Sequence, residues 1–171
     1  MQEAPALPVG VHGGTSHVAE FLERVSRLNA RYRAGEVALV LQSNNLWPAL
    51  TAHENVAVSL RLAGRDDPGE SADAALAAFG LAERARHRAG ALSGGEQQRV
   101  AIAAAAGRRA PLVLADEPTG ELDASNERIV LESLRDLRDT FGSTVVVVTH
   151  SSRVAGAADR VVEMRDGKVL A

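Results

Sequence analysis

The chain has 171 residues, a formal net charge of −3 and no cysteine. Disulfides, thiolate metal sites and cysteine nucleophiles are thereby excluded, and the charge gives no reason to expect a nucleic acid as partner. Of its 19 basic residues only Lys168 is a lysine, so any chemistry that needs a lysine in a phosphate-binding loop must draw on that residue or do without. Hydrophobic residues at 46% and charged residues at 24% are those of a globular domain. No apolar run approaches the roughly 18–20 residues of a membrane helix. Met1 to Gly14 lacks the basic patch and apolar run of a secretory signal. A cytoplasmic protein is expected, with docking to a membrane partner left open.

In chain order, Met1 to Gly14 is punctuated by Pro5, Pro8, Gly10, Gly13 and Gly14 and holds at most a short strand around Leu7 to Val11. Val18, Phe21, Leu22, Val25 and Leu28 then recur on one helical face, with Ser16 as N-cap and Gly35 as terminator. Glu36 to Gln42 is a nearly continuous apolar run, as in a strand covered on both faces. Thr51 and Glu54 form a capping box that opens a helix through about Leu62. Asp66-Asp67-Pro68-Gly69 reads as a loop, Ser71 as the cap of an alanine-rich helix ending at Gly80, and Leu81 to Arg88 as a shorter helical piece. Residues 43–91 are thus a helical insert in an α/β chain.

Ser93 and Glu96 make a second capping box before a helix to about Gly107. Leu112 to Asp116 is a strand, and Asp123 caps a helix carrying Ile129, Val130, Leu134 and Leu137. Thr144 to Thr149 is a strongly β-branched strand. Ser151 or Ser152 starts a short helix, Arg160 to Met164 is a strand, and Asp166-Gly167 turns into Val169-Leu170. Strands alternating with helices predict an α/β fold with a mostly parallel sheet.

Three features carry chemistry. Asp116 and Glu117 are adjacent carboxylates at the C-terminal end of a buried strand, the edge where open α/β sheets bind ligands. An aspartate there can hold Mg²⁺, and a neighbouring glutamate can orient or deprotonate water. Leu92-Ser93-Gly94-Gly95-Glu96-Gln97-Gln98-Arg99 accepts two glycines in a first helical turn, each costing roughly 1 kcal/mol relative to alanine. Bare N–H groups, a hydroxyl and the helix dipole together suit an anion. Finally, Gln42 and His150 end two further strands, so polar residues on three parallel strands could meet at one sheet edge.

In this order the motifs resemble those of an ABC transporter nucleotide-binding domain, over roughly residues 36 to 171. Gln42 matches the Q-loop, Leu92 to Glu96 the signature, Leu112 to Glu117 the Walker B segment, Glu121-Leu122-Asp123 the D-loop, and His150 the switch. Leu50 to Val56 and Ala115 to Gly120 resemble the subgroup that serves lipoprotein release, macrolide export and cell division. The resemblance implies a P-loop NTPase-type sheet with a helical subdomain, acting on ATP with Mg²⁺. It implies that Asp116 coordinates Mg²⁺, Glu117 polarises the hydrolytic water and His150 contacts the γ-phosphate. It further implies that Gln42 senses Mg²⁺ and couples to the membrane subunits. Ser93, Gly94, Gly95 and Glu96 would serve the nucleotide held by an opposite subunit, and Asp123 would link two sites across a dimer. The implied partners are a transmembrane permease and a second nucleotide-binding domain, at the cytoplasmic face of the membrane.

One part of the pattern is missing. No G-x-x-x-x-G-K-[ST] phosphate loop occurs. The nearest stretch, His12-Gly13-Gly14-Thr15-Ser16, has no lysine and the wrong spacing. Lys168 follows Asp166-Gly167 and precedes no Ser or Thr, so it does not stand in. A smaller departure is Ala104, where relatives usually carry an arginine. The expectation is a domain short of its N-terminal strand, phosphate loop and following helix. Residues 1–42 would be a remnant of that core, 43–91 the helical subdomain and 92–171 the signature, Walker B and switch part. Such a chain alone would not grip ATP; a non-catalytic partner lending its signature, or an inactive gene fragment, are the alternatives.

Overall fold

A computed structural model describes residues 11–12, 35–165 and 168–170. Its strands are β1 (Val11–His12) and β2 (Val37–Val40), and two helices follow, α1 (Ala52–Leu62) and α2 (Pro68–Ala78). Next come α3 (Gly94–Arg108), β3 (Leu112–Asp116), α4 (Ala124–Asp139) and β4 (Thr144–Val148). The short helix α5 (Ser152–Ala155) and strands β5 (Val162–Arg165) and β6 (Lys168–Val169) complete it. The sheet order is β2-β3-β4-β1-β5-β6. Within this sheet every described strand pairing is parallel except the antiparallel β5–β6 pair. The α/β architecture with a mostly parallel sheet is therefore as the sequence predicts.

Of the strand expected around Leu7 to Val11, only Val11 is described. It pairs with Val148 on one side and Val162 on the other, so β1 fills the slot between β4 and β5. The helix expected over Val18 to Leu28 and the Asp166-Gly167 turn lie outside the described residues.

Alternation along the strands divides the sheet into two faces. Ala38, Val40, Val113, Ala115 and Val145 join the main core. Val37, Leu114 and Val146 form a small second cluster on the other face. The edge strand β2 is tied back by Arg108, whose guanidinium donates to the Val37 carbonyl at 2.9 Å.

Helix α3 buries Gln98, Val100, Ala101, Ile102, Ala103, Ala105 and Ala106, so it is covered on nearly every side. Small residues permit that. A Cβ on Gly107 would come within 3.0 Å of Leu60 Cδ2 and 3.4 Å of Ala75 Cβ, which marks how closely α1 and α2 approach. The capping box at Thr51 forms as predicted: Thr51 Oγ1 accepts from Glu54 N at 3.1 Å, and Glu54 Oε2 accepts from Thr51 N at 2.7 Å.

Helix α2 starts three residues before the predicted Ser71 cap. Pro68 occupies its first turn, where a missing N–H costs nothing and φ is already helical. Residues 81–88, predicted as a short helix, contain only one 3₁₀ turn, Ala82–Arg84. Stacking of Phe79 on Phe141, with centroids 5.8 Å apart, joins the end of α2 to the end of α4.

Leu60 is fully buried where α1 meets α2 and α3. Leu60→Ala is expected to cost about 2–5 kcal/mol in urea unfolding, through lost transfer energy and the cavity left behind. A cost under about 1 kcal/mol would mean the three helices collapse freely onto the vacancy.

Candidate functional site

The strand register sets the site. Val40 pairs with Ala115 and Ala115 with Val147, so Gln42, Glu117 and Thr149 each lie two residues beyond an aligned row. The three chain ends therefore emerge together at the C-terminal edge.

At β3, Asp116 is half-buried and Glu117 turns sharply. The backbone of Glu117 is left-handed, with φ +43°, a strained geometry for a residue with a side chain. Its N–H donates to the Val148 carbonyl at 2.9 Å. Its carboxylate is held on both oxygens. Oε1 accepts from the His150 N–H at 2.8 Å and lies 2.7 Å from His150 Nδ1, while Oε2 accepts from Thr149 Oγ1 at 3.0 Å. The Glu117 side chain is 16% exposed and that of His150 82%, so a protected carboxylate meets an accessible imidazole. Burial, and secondarily the charge of Glu117, push the Asp116 carboxyl above its ordinary value.

Among the described residues no group of three or more His, Cys, Asp or Glu side chains forms a metal cage. Asp116 nevertheless fits a divalent ion that takes most ligands elsewhere, because a cation would offset both effects that disfavour its charge. The Gln42 carboxamide rests against the turn after Glu117, where a Cβ on Gly120 would lie 3.1 Å from Gln42 Nε2.

The second group of predicted residues gathers around the start of α3. Ser93 is the N-cap, with Oγ accepting from Glu96 N at 3.3 Å and Glu96 Oε2 accepting from Ser93 N at 2.9 Å. Glu96 also binds Arg84 at 2.8 Å, and that bond is the largest cause holding its carboxyl below the usual range. The Glu96 side chain thus braces the cap.

The two glycines have a packing reason as well as the expected anion-binding one. A Cβ on Gly94 would meet Leu122 Cδ2 at 3.2 Å, and one on buried Gly95 would meet Asn126 Oδ1 at 2.5 Å. Asn126 belongs to the first turn of α4, which Asp123 caps. Asp123 accepts from Ser125 N at 2.9 Å, Asn126 N at 3.0 Å and Asn126 Nδ2 at 2.7 Å. The Ser125 hydroxyl also donates to Asp123, and this bond leads the causes that hold its carboxyl far below the usual range.

The structure therefore brings Asp116, Glu117 and His150 together as one group, and Ser93, Gly94, Gly95, Glu96 and Asp123 as another. A cleft of about 240 Å³ is lined by Gln42, Gly94, Gln98, Pro118, Glu121 and Leu122 among others. Sequence reasoning missed Thr149, Asn126, Asn45 and Gln98. Gln98 left a signal: it lies four and seven residues before Ile102 and Ala105, an amide on an apolar helical face.

Known proteins resemble this chain in sequence and in fold. The family described as ABC transporter matches residues 16–120, more than half of the chain. An uncharacterized ABC transporter ATP-binding protein of Mycobacterium tuberculosis is 52% identical over 138 residues, 79% of this chain and 41% of the relative. The macrolide export ATP-binding/permease protein MacB of Brucella melitensis is 45% identical over 154 residues, 86% of this chain but only 24% of that protein. The chain thus spans less than half the length of these curated relatives. Among solved structures, the dimeric ATP-binding cassette MJ0796 bound to ADP and phosphate superposes with a TM-score of 0.81 at 29% identity, covering 99% of this chain and 85% of that one.

Two outcomes test the geometry. A carboxyl raised in the fold loses its proton first in the unfolded chain, so stability falls as pH rises from the ordinary carboxylate value to the raised one. Asp116→Asn should therefore raise the thermal midpoint at about pH 7 and leave it unchanged at about pH 3; equal midpoints at neutral pH would refute the burial argument. Gly95→Ala should cost about 1–3 kcal/mol in denaturant unfolding, and less than additively when combined with Asn126→Ala, since the clash is with that side chain.

With the family model covering more than half of its length and an ATP-binding cassette sharing its fold, this chain belongs to the ABC transporter ATP-binding family.

Proposed function

We propose that the chain is an ATP-hydrolysing subunit of an ABC-type membrane transporter, coupling hydrolysis to a transmembrane permease. The observation that carries this is the Glu117 carboxylate, strained in its backbone and bonded to Thr149 and His150 at the sheet edge beside half-buried Asp116. In this reading Glu117 accepts the proton of the water that attacks the γ-phosphate. It does so after giving up one of the donors that occupy it. His150, tied through Nδ1, offers the rest of its exposed ring to the γ-phosphate. Asp116 and Gln42 would hold Mg²⁺, which would neutralise charge on the phosphates. Ser93, Gly94 and Gly95 contact the γ-phosphate of ATP bound mainly by a second subunit. Glu96 acts there by fixing Ser93, and Asp123 by fixing the α4 turn that packs on Gly95.

The partners follow from the same reading. MacB is by name both ATP-binding and permease, and the MJ0796 cassette is dimeric. Among the described residues no helix is long and apolar enough to cross a membrane. In this reading the chain sits at the cytoplasmic face of the membrane, with its helical insert toward the permease.

A second reading has its own support: the signature is fully built while the sequence lacks a lysine-bearing phosphate loop. The chain then lends Ser93–Gly95 to an intact cassette and does not grip ATP by itself.

Turnover assays separate the two readings. If the chain hydrolyses ATP by its own groups, Glu117→Gln abolishes its activity. If it lends its signature, the chain alone shows no micromolar ATP affinity by calorimetry, and it stimulates an intact cassette whose own signature serine is replaced. That stimulation disappears with Ser93→Arg and survives Glu117→Gln. Neither intrinsic nor stimulated turnover would sink both.

A further inference from the structure

Gln98 is a polar side chain only 4% exposed, inside the helix that Ser93 caps. Burying a carboxamide costs free energy unless its groups are bonded, and here they bond to other segments of the chain. Gln98 Nε2 donates to the Leu41 carbonyl at 2.7 Å and to the Pro118 carbonyl at 2.9 Å. Its Oε1 accepts from Asn45 Nδ2 at 2.6 Å. Asn45 in turn clamps the backbone of Leu41, accepting from its N–H at 2.7 Å and donating to its carbonyl at 2.7 Å.

One carboxamide therefore joins three segments: the helix of Ser93–Gly95, the residue before Gln42, and the turn that follows Asp116 and Glu117. The Gln42 side chain lies against the same turn at Gly120. A packed amide with satisfied bonds holds discrete positions, so it can couple the segments it joins.

We propose that Gln98 is a positioning residue that locks the placement of Ser93–Gly95 to that of Gln42 and the Asp116–Pro118 turn, so that the two nucleotide-facing ends of the chain move as one. The proposal rests on the reading of these groups as parts of ATP sites. It assigns Gln98 no contact with ATP.

Two measurements on the full chain test it. The first is residue-resolved amide hydrogen exchange, which requires no nucleotide. Gln98→Leu should speed exchange at Leu41 and Gly120, with Leu60 and Val146 unchanged. Asn45→Ala, a change in a loop and safer for folding, should speed Leu41 and leave Gly120 as it was. Uniform acceleration across the chain, or none at Leu41 in either variant, overturns the linkage.

The second is stimulated turnover of the signature-deficient cassette. Gln98→Leu should lower kcat by about 10- to 100-fold, the scale of a misplaced group, without changing KM for ATP. Asn45→Ala should lower kcat in the parent and add nothing in the Gln98→Leu background. Additive losses, or a rise in KM alone, overturn the positioning role. If the parent chain stimulates nothing, the signature-lending reading fails, and the exchange pattern still decides whether Gln98 links the segments.

Discussion

Parallel pairing of β2, β3 and β4 in one register is the constraint on which the site depends. Residue period along a strand is two, so a slip of one position would send Val40, Ala115 and Val147 to the opposite face. It would also shift Gln42, Glu117 and Thr149 out of line at the edge. The core enforces the register. Ala38, Val40, Val113, Ala115 and Val145 all join the main core, and each would leave it for the smaller cluster on the other face in a slipped sheet. Apolar packing thus fixes, at a distance, where the polar groups meet.

Electrostatics at that edge run against stability. Asp116 is half-buried beside another carboxylate, and both circumstances disfavour its charge. Glu117 adopts a left-handed backbone and needs Thr149 and His150 to hold it. Strain of this kind persists where surrounding structure over-determines it, and it gathers at sites that do chemistry. The hydrogen bonds to Glu117 also fix the orientation of its carboxylate.

Glycines at the start of α3 answer two demands at once. Backbone N–H groups unshielded by side chains suit an anion, and Asn126 lies too close to Gly95 for any Cβ. Because Asn126 is also bonded to Asp123, the signature and the cap of α4 form one packed unit. Gln98, one turn further along α3, binds that unit to the loop of Gln42 and the turn of Pro118.

The sequence by itself determined the α/β class, the Thr51 and Ser93 caps, the Asp123 cap and the β3 strand to the residue. Each depends on neighbours within a few positions, so local pattern contains the answer. It also singled out Asp116, Glu117 and His150, which lie at the ends of unmistakable strands. Tertiary structure alone decided that Glu96 braces a cap through Arg84 and that Gly95 is required by Asn126. It alone revealed Gln98 and Asn45 as a joint between segments 53 residues apart. The physical reason is range: caps and strand patterns are written in adjacent residues, whereas a buried amide is satisfied by whichever distant carbonyls the packed chain brings to it.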